Sequence, residues 1–201
     1  MNMLPTAIEN ETYNNLLNFL QIENYTPSAE AELLLDTNAK YIKDLKINVS
    51  NALKNAQNLS QKEAYLIAYS VAVNEKFVPL KHAFKTAAEQ AGATPEELAE
   101  IVSLTSLMNV NNIFYRFRHF ANKDFYNNQP AGIKMSIMMN PVIGKEAFEL
   151  ISLVISAVNG CELCVNAHES KLVGEGTPEI KIFEAVKLGA VIKSLITVLA
   201  A

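Results

Sequence analysis

Apolar residues along this chain return at steps of three and four, and the strict alternation of a half-buried strand is almost absent. In PEELAEIVSLTSLMNVNNIF, Leu98, Ile101, Val102, Leu104, Leu107 and Met108 mark out one face of a helix. Start signals agree with the periodicity. Thr94-Pro95-Glu96-Glu97 and Thr177-Pro178-Glu179 each set a capping hydroxyl before a proline and first-turn acid. Thr26-Pro27-Ser28 punctuates the chain before another apolar run, and Ser60 with Glu63 has the spacing of a capping box. FYRFRHF, residues 114 to 120, interleaves rings with Arg116 and Arg118, and is expected to be an amphipathic helix turning its rings into a core. The expected fold class is all-α.

The pattern also repeats. KEAYLIAYSVAV from Lys62 resembles KEAFELISLVIS from Lys145, and the TPE at Thr94 returns at Thr177; both pairs stand 83 residues apart. A shared interval predicts a duplicated helical unit within a single domain 1–201: a first repeat at 59–121, a second at 144–201, and an N-terminal helical extension at 1–58. The Asn-, Pro- and Gly-rich stretch 122–134 reads as the connection between the halves. At this interval Val78 and Lys81 occupy the places of Cys161 and Cys164, so only the second unit carries thiols.

Half the residues are apolar and 19% are charged, enough for a sizeable core in a soluble domain. The formal net charge of −4 leaves no excess of basic side chains for a phosphate backbone, so nucleic acid is not an expected partner. LISLVISAV and LITVLAA are about half the ~20 residues that span a bilayer, so no membrane association is expected. The latter suits subunit contact and core burial equally. The opening MNMLPTAIENETYNNLL has no basic residue ahead of an apolar run, so no secretory leader is expected and the cytoplasm is the expected location. In a reducing compartment, two closely spaced cysteines point to catalysis or metal binding rather than a staple.

Those cysteines lie in NGCELCVNAHESK, residues 159 to 171. Asn159-Gly160 breaks two apolar helical patterns, which puts Cys161 near the first turn of a new helix. Cys161, Cys164 and His168 then share one stripe. Unpaired N–H groups and the dipole at a helix start favour a thiolate, the nucleophilic form, and His168 can exchange its proton. Folding the preceding helix back about Asn159 brings Glu149 to within a residue of His168, where a carboxylate orients an imidazole. Rival readings exist. Cys-x2-Cys also occurs in zinc sites, but these are usually closed by four ligands, and only His82, His119 and His168 are available here. His82 and His119 read as histidines without a role. The two thiols can also be mere packing, and Glu149 with Ser152 and Ser156 can be a solvated face.

Glu149, eleven intervening residues, Cys161-Glu162-Leu163-Cys164 and His168 resemble the E-x11-C-x2-C-x3-H signature of the alkyl hydroperoxide reductase D-type family, within the carboxymuconolactone decarboxylase-like superfamily. The resemblance covers roughly residues 144–190 and implies a repeated all-helical bundle. It further implies that Cys164 attacks peroxide and becomes a sulfenic acid, that Cys161 resolves it as a Cys161–Cys164 disulfide, that His168 shuttles protons, and that Glu149 orients His168. No metal or organic cofactor is implied. The implied partners are an organic hydroperoxide or hydrogen peroxide, a lipoyl or other dithiol reductant, in some members a peroxiredoxin, and further copies of the chain, often as trimers. One departure stands out: the family pattern has a histidine immediately before the second cysteine, and here that residue is Leu163. Two other functions compete, a non-catalytic redox sensor or interaction module, and an acid–base enzyme of the lactone decarboxylase type.

Overall fold

Helices begin at the starts expected near Ser28, Ser60, Thr94 and Thr177. The computed structural model describes residues 10–200, so Met1–Glu9, which carry most of the stretch examined for a leader and the start of the 1–58 extension, lie outside it. Asn10 and Ser28 cap α1 (Glu11–Phe19) and α2 (Ala29–Asp36), followed by α3 (Tyr41–Lys54). Ser60 and Glu63 close a reciprocal capping box at α4 (Gln61–Asn74), which is followed by α5 (Val78–Gln90). Thr94 and Glu97 do the same, with Pro95 in the first turn, at α6 (Pro95–Ala121). The chain continues through α7 (Asp124–Asn128), a 3-10 turn (Ser136–Met138), α8 (Lys145–Val158), α9 (Glu162–Gly174) and α10 (Glu179–Ala200). No strand occurs among the described residues.

Two helical hairpins organise the bundle, α4–α5 and α8–α9, and α4 packs directly on α8. Their elements correspond from cap to cap: Ser60 and Gly144 precede the first helices, Glu75 and Asn159 end them, and Phe77 and Cys161 precede the second. That interval is 84 residues, one more than the sequence echo gave. The residues standing where Cys161 and Cys164 stand are therefore Phe77 and Leu80, not Val78 and Lys81. The echo misled because Lys-Glu-Ala begins at the second helical residue in α4 and at the first in α8.

α10 runs through the centre against α3, α4 and α8, with Leu188, Ile192 and Leu195 fully buried. Ile196, Val198 and Leu199 are buried as well, so the apolar end of the chain belongs to the core. The ring-rich end of α6 departs from expectation. Phe117 is 48% and Phe120 74% exposed, and Phe125 on α7 is 69% exposed. These rings project because α6 outruns the helices that cover its earlier turns, where Leu98, Ile101, Leu104 and Met108 are buried. Val102 also faces outward. The connection between the halves, read as 122–134, runs on to Gly144 and includes α7 and the 3-10 turn. No helix among the described residues is long and apolar enough to cross a membrane.

Candidate active site

The site grows from the turn between α8 and α9. Gly160 takes φ +69°, a left-handed conformation that costs glycine little, and lets the chain reverse within two residues. Its N–H donates to the Ala157 carbonyl at 3.1 Å and that of Cys161 to the Ser156 carbonyl at 3.0 Å, the paired bonds of a Schellman ending. Cys161 is thereby fixed as the residue that precedes α9, and Cys164 falls in the first turn. A chain of amides clamps the same turn: the Asn159 side chain donates to Asn112 Oδ1 at 2.9 Å and accepts from Asn74 Nδ2 at 3.0 Å. Asn112 Nδ2 donates to Ser156 Oγ at 2.9 Å, and Arg116 donates to the Asn159 carbonyl.

Cys161 and Cys164 are joined as a disulfide, their Cα atoms 5.3 Å apart. Cys161 is fully buried and Cys164 is 7% exposed. Glu149 projects from α8 beneath α9, as the fold-back argument required: its Oε2 lies 2.6 Å from His168 Nδ1 and its Oε1 2.5 Å from Lys171 Nζ. The carboxylate is 2% exposed, and Ser152 and Ser156 are fully buried, so the solvated-face reading of this stripe is wrong. Glu149 is held inside by His168 and Lys171 and Ser156 by Asn112, while the Ser152 hydroxyl is buried without a hydrogen-bond partner among the described residues. Burial pushes the Glu149 carboxyl up, but the hydrogen bonds and charges of His168 and Lys171 outweigh it and hold it below the usual carboxylate range. An ionised Glu149 can only accept, so His168 Nδ1 carries the hydrogen and Nε2 is left for chemistry.

Beside the dithiol lies a cavity of about 290 Å³. Cys164, His168, Leu163 and Ala167 form its α9 wall, while α6 supplies Asn111 and Tyr115 opposite, with Met135 and Met138 from the connection. Cys161 does not line it. Leu163, at the position where the family pattern has histidine, adds an apolar surface instead of a proton donor. His82 is exposed on α5 and borders a different depression beside the N-terminal segment. His119 is exposed, 3.5 Å from Glu162. No group of three or more His, Cys, Asp or Glu side chains able to hold a metal occurs among the described residues.

Several neighbours escaped the sequence. Lys171 was detectable, lying one turn beyond His168 on the same stripe. Asn111, Met135 and the amide clamp carry no local signal, since tertiary packing alone brings α4, α6 and the connection to this turn.

Comparison with known proteins agrees with the geometry. The carboxymuconolactone decarboxylase family pattern matches residues 129–201. A protein named alkyl hydroperoxide reductase AhpD from Rhizorhabdus wittichii is 37% identical over 159 residues, 79% of this chain and 90% of its own length. Proteins of the same name from Maricaulis maris and Coxiella burnetii are 34% and 36% identical, over 81% and 77% of this chain and 92% and 88% of theirs. With relatives at this identity aligned over about four fifths of the chain, the chain belongs to the AhpD-like proteins of the carboxymuconolactone decarboxylase superfamily.

Proposed function

We propose that this chain is a thiol-dependent alkyl hydroperoxide reductase that cycles Cys161 and Cys164 between dithiol and disulfide. One observation carries the reading: of the two bonded sulfurs' residues, only Cys164 lines the cavity, and it does so beside a histidine whose other nitrogen is anchored by a buried carboxylate. The relatives named for this activity support it.

In the proposed cycle the Cys164 thiolate attacks the terminal oxygen of a hydroperoxide. A sulfur–oxygen bond forms, the O–O bond breaks, and the departing alkoxide takes a proton from His168 Nε2. Glu149 stabilises the imidazolium that precedes this transfer. The Cys161 thiol then displaces water from the sulfenic acid, and the disulfide closes. A lipoyl or other dithiol donor, or a dedicated redox partner, returns the pair to thiols in a reducing cytoplasm. No cofactor takes part. Self-association of the chain is supported by the exposed apolar side chains at the end of α6 and on α7.

The test is hydroperoxide-dependent oxidation of dihydrolipoamide, compared among the native chain, Cys161→Ser and Cys164→Ser. Turnover by the native chain and its loss in both variants is expected. Equal turnover in the variants refutes the cycle, and disulfide formation without turnover makes the dithiol a sensor instead.

A further inference from the structure

We propose that Lys171 is a positioning residue of the thiol site: by taking the second oxygen of Glu149 it neutralises the buried carboxylate while His168 is uncharged, so that a proton arriving on His168 is matched by a thiolate at Cys164. The inference rests on the reading of Cys164 as the attacking thiol. Glu149 is 2% exposed, and each of its oxygens meets one donor, His168 Nδ1 at 2.6 Å and Lys171 Nζ at 2.5 Å. The two donors differ in access. The His168 side chain is 12% exposed and lines the cavity with Cys164, whereas that of Lys171, one turn further along α9, is 44% exposed and is not part of the cavity wall. Lys171 therefore acts on the chemistry through the carboxylate and not by touching substrate. The other charged groups on the packed elements are engaged elsewhere. Glu146 of α8 meets Lys181 of α10 at 2.9 Å, and Glu63 of α4 meets the same lysine at 2.7 Å. Glu162 of α9 stands 3.5 Å from His119 of α6, and Arg116 of α6 donates to the Asn159 carbonyl. Glu169 and Glu175, also at α9, make no ion pair among the described residues, and Tyr115 of α6 is the one further titratable side chain on the cavity wall. The charges that act on Glu149 are those of His168 and Lys171.

Counting charges gives the consequence. With Lys171 in place, Glu149, Lys171 and a neutral imidazole sum to zero, and an imidazolium leaves one positive charge that a Cys164 thiolate balances. Without Lys171 the imidazolium itself neutralises Glu149, and a thiolate beside it leaves the site with one net negative charge. Unbalanced charge is costly where water is scarce, and Cys164 is 7% and Glu149 2% exposed. Lys171 thus favours the thiolate–imidazolium pair, the form that both attacks the O–O bond and holds the proton for the departing alkoxide. Leu163, beside Cys164 on the cavity wall, offers no charge that could take its place. Withdrawing a positive charge from a site makes every proton there harder to remove, so loss of Lys171 moves the whole ionisation profile to higher pH. A merely structural loss instead lowers the rate alike at all pH values.

The full-length reduced chain is followed in two assays across about pH 5 to 9: alkylation of Cys164 by iodoacetamide, located by peptide mass, and disulfide formation in a single turnover with cumene hydroperoxide. In Lys171→Met both profiles move to higher pH by about half to one unit, a modest shift because water screens a half-exposed ammonium. The alkylation rate at the alkaline end still reaches its native value. Lys171→Arg keeps the positive charge and leaves both profiles at the native position. Should Lys171→Met fail to fold, Lys171→Gln removes the same charge and is read the same way. Profiles that superimpose on the native ones, a rate lowered equally at every pH, or an arginine variant that shifts like the methionine one overturn the assignment. A native chain that is alkylated at Cys164 but forms no disulfide with the peroxide sinks the reading of Cys164 instead, and the alkylation profile then still decides the role of Lys171.

Discussion

Replacing Glu149 by glutamine removes one negative charge from a carboxylate that is 2% exposed and accepts from two donors. Glutamine offers one carbonyl and one N–H2, so only one donor can keep an acceptor. With the carbonyl left on His168 Nδ1, the N–H2 faces the Lys171 ammonium, whose side chain is 44% exposed and can swing into water. The Lys171 pair then contributes little, about 0–1 kcal/mol. Turning the charge-assisted His168 bond into a neutral one costs about 1–1.5 kcal/mol more. Burial of the charge opposes this, but the carboxyl is held below its ordinary range, so its partners outweigh desolvation and the ionised form is net stabilising. The expected loss is about 1–2.5 kcal/mol at neutral pH, or roughly 2–10 °C in melting temperature for a chain of this size. A depressed carboxyl pKa stabilises above the unfolded value, about 4.3, and that contribution is lost as pH falls through the folded value. Urea denaturation should therefore show a gap between native and Glu149→Gln proteins that holds from neutral pH to about 5 and closes below about 4. A gap of equal size on both sides of that window, or none at neutral pH, refutes the account.

Three further substitutions probe the frame around the site. A Cβ on Gly189 of α10 would lie 2.4 Å from Val154 Cγ1 on α8, so Gly189→Val should destabilise by about 2–3 kcal/mol. Gly174→Ala, at the end of α9 with nothing within 4 Å, should instead stabilise by up to about 1 kcal/mol, and urea midpoints of opposite sign would check both. Asn112→Ala strips partners from Ser156 and Asn159, so stability should fall by about 1–3 kcal/mol. Hydrogen exchange at Gly160 and Cys161 should quicken with it; unchanged protection there would mean that the amides do not hold the turn.

What was legible in the sequence was local. Ser60 with Glu63 and Thr94 with Glu97 announce helix starts because a hydroxyl and a carboxylate three residues apart can satisfy each other's backbone donors. Glu149 and His168 could be paired in advance because a two-residue reversal at Asn159-Gly160 leaves antiparallel neighbours little freedom. The stripe of Glu149, Ser152 and Ser156 was ambiguous, since polar residues at helical spacing normally face water. α9 covers Glu149 through His168 and Lys171, and Asn112, forty-four residues away from Ser156, meets the far end of the stripe. The same remoteness hid Asn111 and Met135. The rings of FYRFRHF were misread for a related reason: periodicity identifies a face, and tertiary packing decides what covers it.

The two hairpins show how little of this chemistry resides in the backbone. Lys76 and Gly160 both take left-handed conformations, and Phe77 and Cys161 donate back to Ala72 and Ser156 in the same Schellman pattern. Counted at the structural interval of 84, Glu149, Cys161, Cys164 and His168 stand where the first hairpin has Tyr65, Phe77, Leu80 and Phe84. Those aromatic and aliphatic groups need cover. The N-terminal segment supplies it: Tyr25 packs edge-on against Phe77 with ring centroids 6.2 Å apart, and Phe19 and Leu20 gather with Leu53, Tyr65 and Phe84 around a space of only about 40 Å³. Among the described residues the second hairpin has no such blanket, and its corresponding face opens into the cavity at Cys164. A buried carboxylate there is held in place by His168 and Lys171, whereas its counterpart Tyr65 is held by apolar neighbours. The N-terminal helices and the Cys161–Cys164 site with its ionised Glu149 are thus two answers to one packing problem, a hairpin flank left bare by the bundle. Only the answer that keeps polar groups and an opening can do chemistry.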